Sequence, residues 1–318
     1  MQRRRKRITR ALALVAALGL VAGVLVRLQR SGLFAAAAAA RPVPRKQVLA
    51  AWEGRRWDEV RAASIASLAS VPLDPFFLGF GGLASFYKAM ELPEGEDRLA
   101  LLDEAVSSIR KALVVAGRGS PRAQLSYVLG KAYYHKGSAF YDETVKYIEA
   151  SLAAGYSASD SREYLALAYA GLGEKEKAVA SFEAALAAAS LAAAAREGGG
   201  RPELLLLAAA RAQLDAGAGE RAEALLLEAV AGARDELVRE KCRFLLGEIY
   251  RSRGEGAREE EQYVLVLEKD PESAEAHYRL GLLYQERGDP IRARSEWRKA
   301  VALDPMHSLA RQKLSERL

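Results

Sequence analysis

Apolar residues recur along this chain at the spacing of one helix face, in stretches of roughly ten to fifteen positions broken by glycine, proline or acidic runs. Residues 160–171 and 175–188 read as a pair of helices, and Thr144-Val145-Lys146-Tyr147-Ile148 belongs to another second helix of the same kind. Earlier in the chain, Val48–Trp52 and Ala62–Leu68 suggest a hairpin ending at Pro72. Phe76–Met90 forms the next first helix, and Ala105, Ile109 and Ala112 mark its partner beyond an acidic loop, Glu91–Asp97. Phe76, Phe77, Phe80, Phe86 and Tyr87 are expected to pack in the core of these N-terminal units. Alanine, leucine, arginine and glutamate dominate and the ten prolines fall mostly between these stretches, so an all-α chain is expected.

One stretch departs from the pattern. Ala11–Val26 holds no charged or strongly polar side chain and follows the basic cluster MQRRRKR, the order of a targeting or anchoring signal. Extended through Leu28, with Arg27 reaching back toward the head groups, it spans roughly 27 Å at about 1.5 Å per residue, close to a ~30 Å hydrocarbon layer. Residues 8–28 are therefore read as contacting a lipid bilayer, and residues 1–30 as a cytoplasmic tip with a single membrane-spanning signal-anchor. A cleaved signal peptide is the alternative, because Ala35–Ala40 offer small-residue cleavage positions, although Arg27 and Arg30 stand between them and the apolar run. More basic residues precede the run than follow it, which keeps the N-terminus cytoplasmic and exports the remainder. In a bacterium that places the rest of the chain in the periplasm, anchored to the inner membrane. Residues 31–44 form an alanine- and proline-rich spacer.

Composition adds two constraints. The chain has 318 residues and a formal charge of +6, but eight basic residues and no acid lie within residues 1–30, so the remainder is close to neutral and offers nucleic acid no general basic surface. The single cysteine, Cys242, excludes an intrachain disulfide, and the three histidines have no metal-ligand spacing. No cofactor is expected.

The chain repeats itself at a period of 34 residues. Residues 274–305 carry Leu280, Gly281, Tyr284, Ala293, Trp297, Ala300 and Pro305. Thirty-four residues earlier, Leu246, Gly247, Tyr250, Gly254, Tyr263 and Pro271 keep the frame, with Glu259 where a small residue is wanted, so that this hairpin is expected to splay slightly. Leu165, Ala166, Tyr169, Gly173, Ala178, Phe182 and Ala185 form a third copy; Leu129, Gly130, Tyr133 and Gly137 begin a fourth, with two extra residues in its turn. These residues resemble the tetratricopeptide-repeat (TPR) family, with the best matches at 159–190, 240–271 and 274–305. The resemblance implies a right-handed superhelical solenoid of about seven helix hairpins over residues 45–318, closed by a capping helix at 307–318 with Leu309, Leu314 and Leu318 on its inner stripe.

Such proteins usually serve as protein-binding scaffolds, and in their geometry the first helix of each hairpin lines a concave groove. Carried onto this chain, positions two, five, nine and twelve pick out Tyr127, Lys131, Tyr134, Glu163, Arg211, Lys241, Phe244, Glu248, Arg251, Tyr278 and Gln285 as a groove for an extended peptide or partner helix. Lys241, Arg251 and Arg211 would form a basic track flanked by Phe244 and Tyr278, with neither Phe244 nor Lys241 supporting the core between repeats. The residues that a carboxylate-clamp TPR domain needs are missing, since the chain lacks asparagine and position nine reads Lys131, Leu167, Arg211, Glu248 and Leu282 in turn. No nucleophile elbow or phosphate loop is present, and Cys242 sits where a small structural residue is usual. The reading is a non-enzymatic, membrane-anchored scaffold, and its rival is a homo-oligomeric subunit of an envelope-spanning secretion, outer-membrane-assembly or flagellar complex.

Overall fold

In the computed structural model, which describes residues 41–117, 121–194 and 202–316, the apolar stretches become fifteen α-helices and one 3-10 turn, with no strand among the described residues. They divide into two compact units after Tyr156. Among these residues no helix is long and apolar enough to cross a membrane. Residues 8–28, which carry the anchor reading, lie outside the described residues.

The first unit contains three hairpins: α1 (Arg45–Glu53) with α2 (Trp57–Leu68), α3 (Pro75–Glu91) with α4 (Glu96–Val115), and α5 (Arg122–His135) with α6 (Tyr141–Ala153). The two extra turn residues of the third hairpin are taken up by a 3-10 turn at Ser138–Phe140. The acidic segment read as a loop is one at residues 92–95, shorter at both ends than expected. α3 runs through Glu91, and Glu96 and Asp97 occupy the first turn of α4, where the helix dipole favours negative charge. Small residues set the helix crossings: a Cβ on Gly82 would stand 2.7 Å from Ile109, and one on Gly130 would stand 2.8 Å from Ile148. Phe77 and Phe86 are buried, and Phe76 and Phe80 pack beside Val48, Ala51 and Val60. Tyr87 departs from the expectation, lying at the surface and stacked on Trp57 with ring centroids 5.1 Å apart. The end of the spacer is tied down, since Val43 packs on this core and its N–H donates to Ser67 Oγ at 3.0 Å.

The second unit stacks α7 (Ser161–Gly171) with α8 (Lys175–Ala194), α9 (Pro202–Asp215) with α10 (Gly219–Gly232), α11 (Glu236–Ser252) with α12 (Gly256–Leu267), and α13 (Ala274–Glu286) with α14 (Pro290–Leu303). α15 (Ser308–Ser315) follows. Each of the four hairpin turns holds one glycine at positive φ: Gly173, Gly217, Gly254 and Gly288, between 71° and 80°. α8 outlasts its expected end at 188 because its alanine-rich sequence continues to favour helix. In the last hairpin the Trp297 indole is fully buried, donating from Nε1 to the Tyr278 carbonyl at 3.2 Å. The inner stripe of α15 differs from the expected one. Ala310 is the residue buried against Trp297, Leu314 packs beside it, and Leu309 is half exposed, while Leu318 lies outside the described residues.

Glu259 does not splay its hairpin. Gly247 approaches the Tyr263 ring so closely that a Cβ would meet it at 2.5 Å, comparable with the 2.2 Å between a Cβ on Gly281 and Trp297. The glutamate is instead buried, 2 % exposed, and burial, reinforced by the charge of Glu286, raises its pKa despite nearby Arg251. A carboxyl whose pKa is raised by folding binds more protons folded than unfolded, so its contribution to stability falls as pH rises through that interval. Glu259→Gln should therefore raise the denaturation midpoint at pH 7 and lose that advantage below the ordinary carboxyl pKa, as chemical denaturation at pH 4 and pH 7 would show.

Candidate functional site

In the second unit the first helices of successive hairpins lie side by side. α11 is tied to α13 by Glu248 with Arg279 at 2.7 Å and by Arg251 with Glu286. Arg211, on α9, sits near enough to the α11 thiol of Cys242 for its charge to act on it. The sequence frame thus brings Arg211, Lys241, Phe244, Glu248, Arg251, Tyr278 and Gln285 onto adjacent helices, but it does not give them equal freedom.

Tyr278 is not a groove ring. It is 9 % exposed, packed in the cluster of Ala293, Trp297, Ala300 and Ala310, with its centroid 4.9 Å from the His307 ring. Phe244 is half-buried against Tyr263, Leu280 and Leu283, and the Arg279 guanidinium lies over its ring at 5.0 Å. It therefore supports the core, contrary to the expectation, while one face meets a cation. Arg251 is neutralised by Glu286 and lines a cleft of about 400 Å³ with Glu259, Leu283 and Arg287. The basic track is thereby reduced to Arg211 and Lys241, both exposed and without a carboxylate in ion-pair distance among the described residues. Gln285 is half-buried on α13.

The residue missed by sequence reasoning is Arg279, which falls at position six, outside the groove frame. It donates to Glu248, and to Glu275 at 2.5 Å, while covering Phe244. Burial opposes its charge, but the hydrogen bonds to Glu248 and Glu275 win and raise its pKa. A signal was available in Glu275 one turn earlier on the same helix face.

In the first unit, Tyr127 is also a core ring, 8 % exposed and 5.5 Å from Tyr156. Lys131 donates to Tyr127 Oη at 3.1 Å and lies over both the Tyr127 and Phe86 rings. Tyr134, half-buried, stacks on Tyr141 at 5.3 Å. Burial, with the charges of Arg98 and Lys131 adding, pulls the neighbouring His135 down to about 4. Glu163, half-buried on α7, completes the sequence-derived set. Cys242 is fully buried, and burial pushes its thiol up to about 11, against the fields of Arg211 and Arg243, so that it rests as a neutral thiol.

Residues 165–190 and 274–307 match the tetratricopeptide repeat family. No curated protein sequence matches the chain. Among solved structures, the C-terminal part of a TPR repeat-containing protein from Cytophaga hutchinsonii aligns over 85% of this chain and 99% of its own, at 13% identity and a TM-score of 0.60. PilW, described as a widely conserved type IV pilus biogenesis factor, aligns over 74% of this chain and 98% of its own, at 16% identity and a TM-score of 0.54. At these identities the likeness is one of fold.

Proposed function

We propose that this TPR-bearing chain is a non-enzymatic scaffold, anchored in the bacterial inner membrane through residues 8–28, whose repeat region recruits a protein partner on the periplasmic side. The observation that carries the binding reading is the pair Arg211 and Lys241 on adjacent first helices, left without acidic partners among the described residues where Arg251 and Arg279 beside them are neutralised. Exposed charges of this kind steer encounter and set specificity for a partner with acidic groups. The anchoring reading rests on the apolar run Ala11–Val26 behind its basic cluster.

Crosslinking in intact bacterial cells, followed by membrane extraction at alkaline pH and purification through a C-terminal tag, tests both parts. The wild-type chain should stay with the lipid fraction and recover a distinct partner. The Arg211→Glu, Lys241→Glu double variant should recover that partner about tenfold less at low salt, with the difference shrinking at high salt as screening demands. Recovery of only the chain itself would favour the self-associating subunit, and release of a shortened soluble chain would establish cleavage of the signal.

A further inference from the structure

A cleft of about 490 Å³ opens in the first unit, walled by Arg110, Leu113 and Val114 of α4, Arg122 and Ser126 of α5, and Lys146, Tyr147 and Ala150 of α6. None of these belongs to the first-helix groove. Three of the eight are cationic and none is acidic, in a chain whose other cations are widely paired with carboxylates. Among the described residues Arg110 makes one long hydrogen bond, to Tyr133 Oη at 3.5 Å. Arg122 spends its donors on the carbonyls of Leu113 at 2.7 Å and Ala116 at 2.9 Å, closing the end of α4. Neither arginine has a carboxylate in ion-pair distance among the described residues; Lys146 alone has one, Glu143 at 3.0 Å.

Two of the three cations are also held in place before any ligand arrives. Arg122 is fixed by its two backbone carbonyls, Lys146 rests over the Tyr147 ring at 5.0 Å, and Tyr147 stacks on Tyr133 at 5.7 Å with planes 7° apart. At the rim, Val114 is 83% exposed. One guanidinium fixed by backbone carbonyls and a second with donors to spare, beside an open valine and a tyrosine face, match a carboxylate carried on a partly apolar segment. A flat anionic membrane fits poorly, because α6 also carries Asp142, Glu143 and Glu149, whereas one side chain entering the cleft meets a lining with three cations and no carboxylate.

We infer that this cleft is a second docking site, separate from the first-helix groove, which takes a glutamate or aspartate side chain from an apolar segment of a partner protein. Preformed donors make recognition depend on the carboxylate itself, since its charge-assisted hydrogen bonds are about twice as strong as neutral ones and an uncharged amide would leave Arg110 without its counter-charge. Binding should weaken as salt is raised.

The full-length chain in non-ionic detergent can be titrated calorimetrically with the blocked pentapeptide Ala-Leu-Glu-Leu-Ala and with its glutamine counterpart. The glutamate peptide should bind about tenfold tighter. Arg110→Gln should abolish that preference without loss of helicity, since its single long bond adds little to the fold, whereas the Arg211→Glu, Lys241→Glu double variant should retain it and so separate this site from the groove. Equal affinity for the two peptides, absence of carboxylate-dependent binding, or a preference that survives Arg110→Gln would each overturn the inference. Tighter binding of inorganic phosphate than of the glutamate peptide would overturn it as well, by making the cleft a phosphate site.

Discussion

Gly281→Leu is expected to unfold the last hairpin well below the melting temperature of the wild-type chain. A Cβ at this position would stand 2.2 Å from Trp297 Nε1 and 2.4 Å from its neighbouring ring carbon, closer than real Cβ atoms come to anything. The indole has little freedom to yield, because it is fully buried and its Nε1 is committed to the Tyr278 carbonyl. Overpacking of this kind costs about 1–3 kcal/mol or more, and leucine adds further atoms beyond the Cβ. Displacing Trp297 would also disturb Ala310 of α15, so the end of the unit should lose protection together in hydrogen exchange. Gly232→Ala is the control: nothing lies within 4 Å of its added Cβ, and its denaturation midpoint should match or slightly exceed that of the wild type. Similar midpoints for both variants would remove the close crossing as the reason for glycine at 281.

Arg279→Met should cost about 1–2 kcal/mol, although methionine keeps much of the apolar stem. The guanidinium joins Glu248 of α11 to Glu275 of its own helix and covers Phe244, so its removal leaves two carboxylates without their shared donor and uncovers a half-buried ring. Glu248 is half exposed, and water screens part of that loss, which keeps the figure modest. Arg279→Lys should recover only part of it, because a single ammonium cannot fork between two carboxylates while lying flat over a ring. Urea denaturation of the three proteins checks the order wild type, lysine, methionine. Equal midpoints would mean that the ties between α11 and α13 are surface ornaments, leaving packing around Tyr263 and Leu280 to join the hairpins.

The sequence by itself determined the all-helical class, the helix pairs and most of their turns, because those are written in local chemistry. Gly173, Gly254 and Gly288 mark turns that need positive φ, Asp289 caps α14 by accepting from the Arg292 N–H at 3.0 Å, and Gly281 and Trp297 announce a close crossing sixteen positions apart. It also identified which side chains share the first-helix face, since that follows from 3.6 residues per turn. Only the tertiary structure decided which of them are free. Helical periodicity assigns Tyr278 and Lys241 to equivalent faces, yet α14 and α15 bury the tyrosine while the lysine stays open, and the covering atoms come from elsewhere in the chain. Charge shows the same division. Arg251 reads as a groove cation until Glu286, 35 residues later, lies against it, and Arg279 has no place in the groove frame until Glu248, 31 residues earlier, meets it. The cleft of Arg110, Arg122 and Lys146 is legible in no single helix, because each contributes one cation and only their packing brings three like charges to one opening.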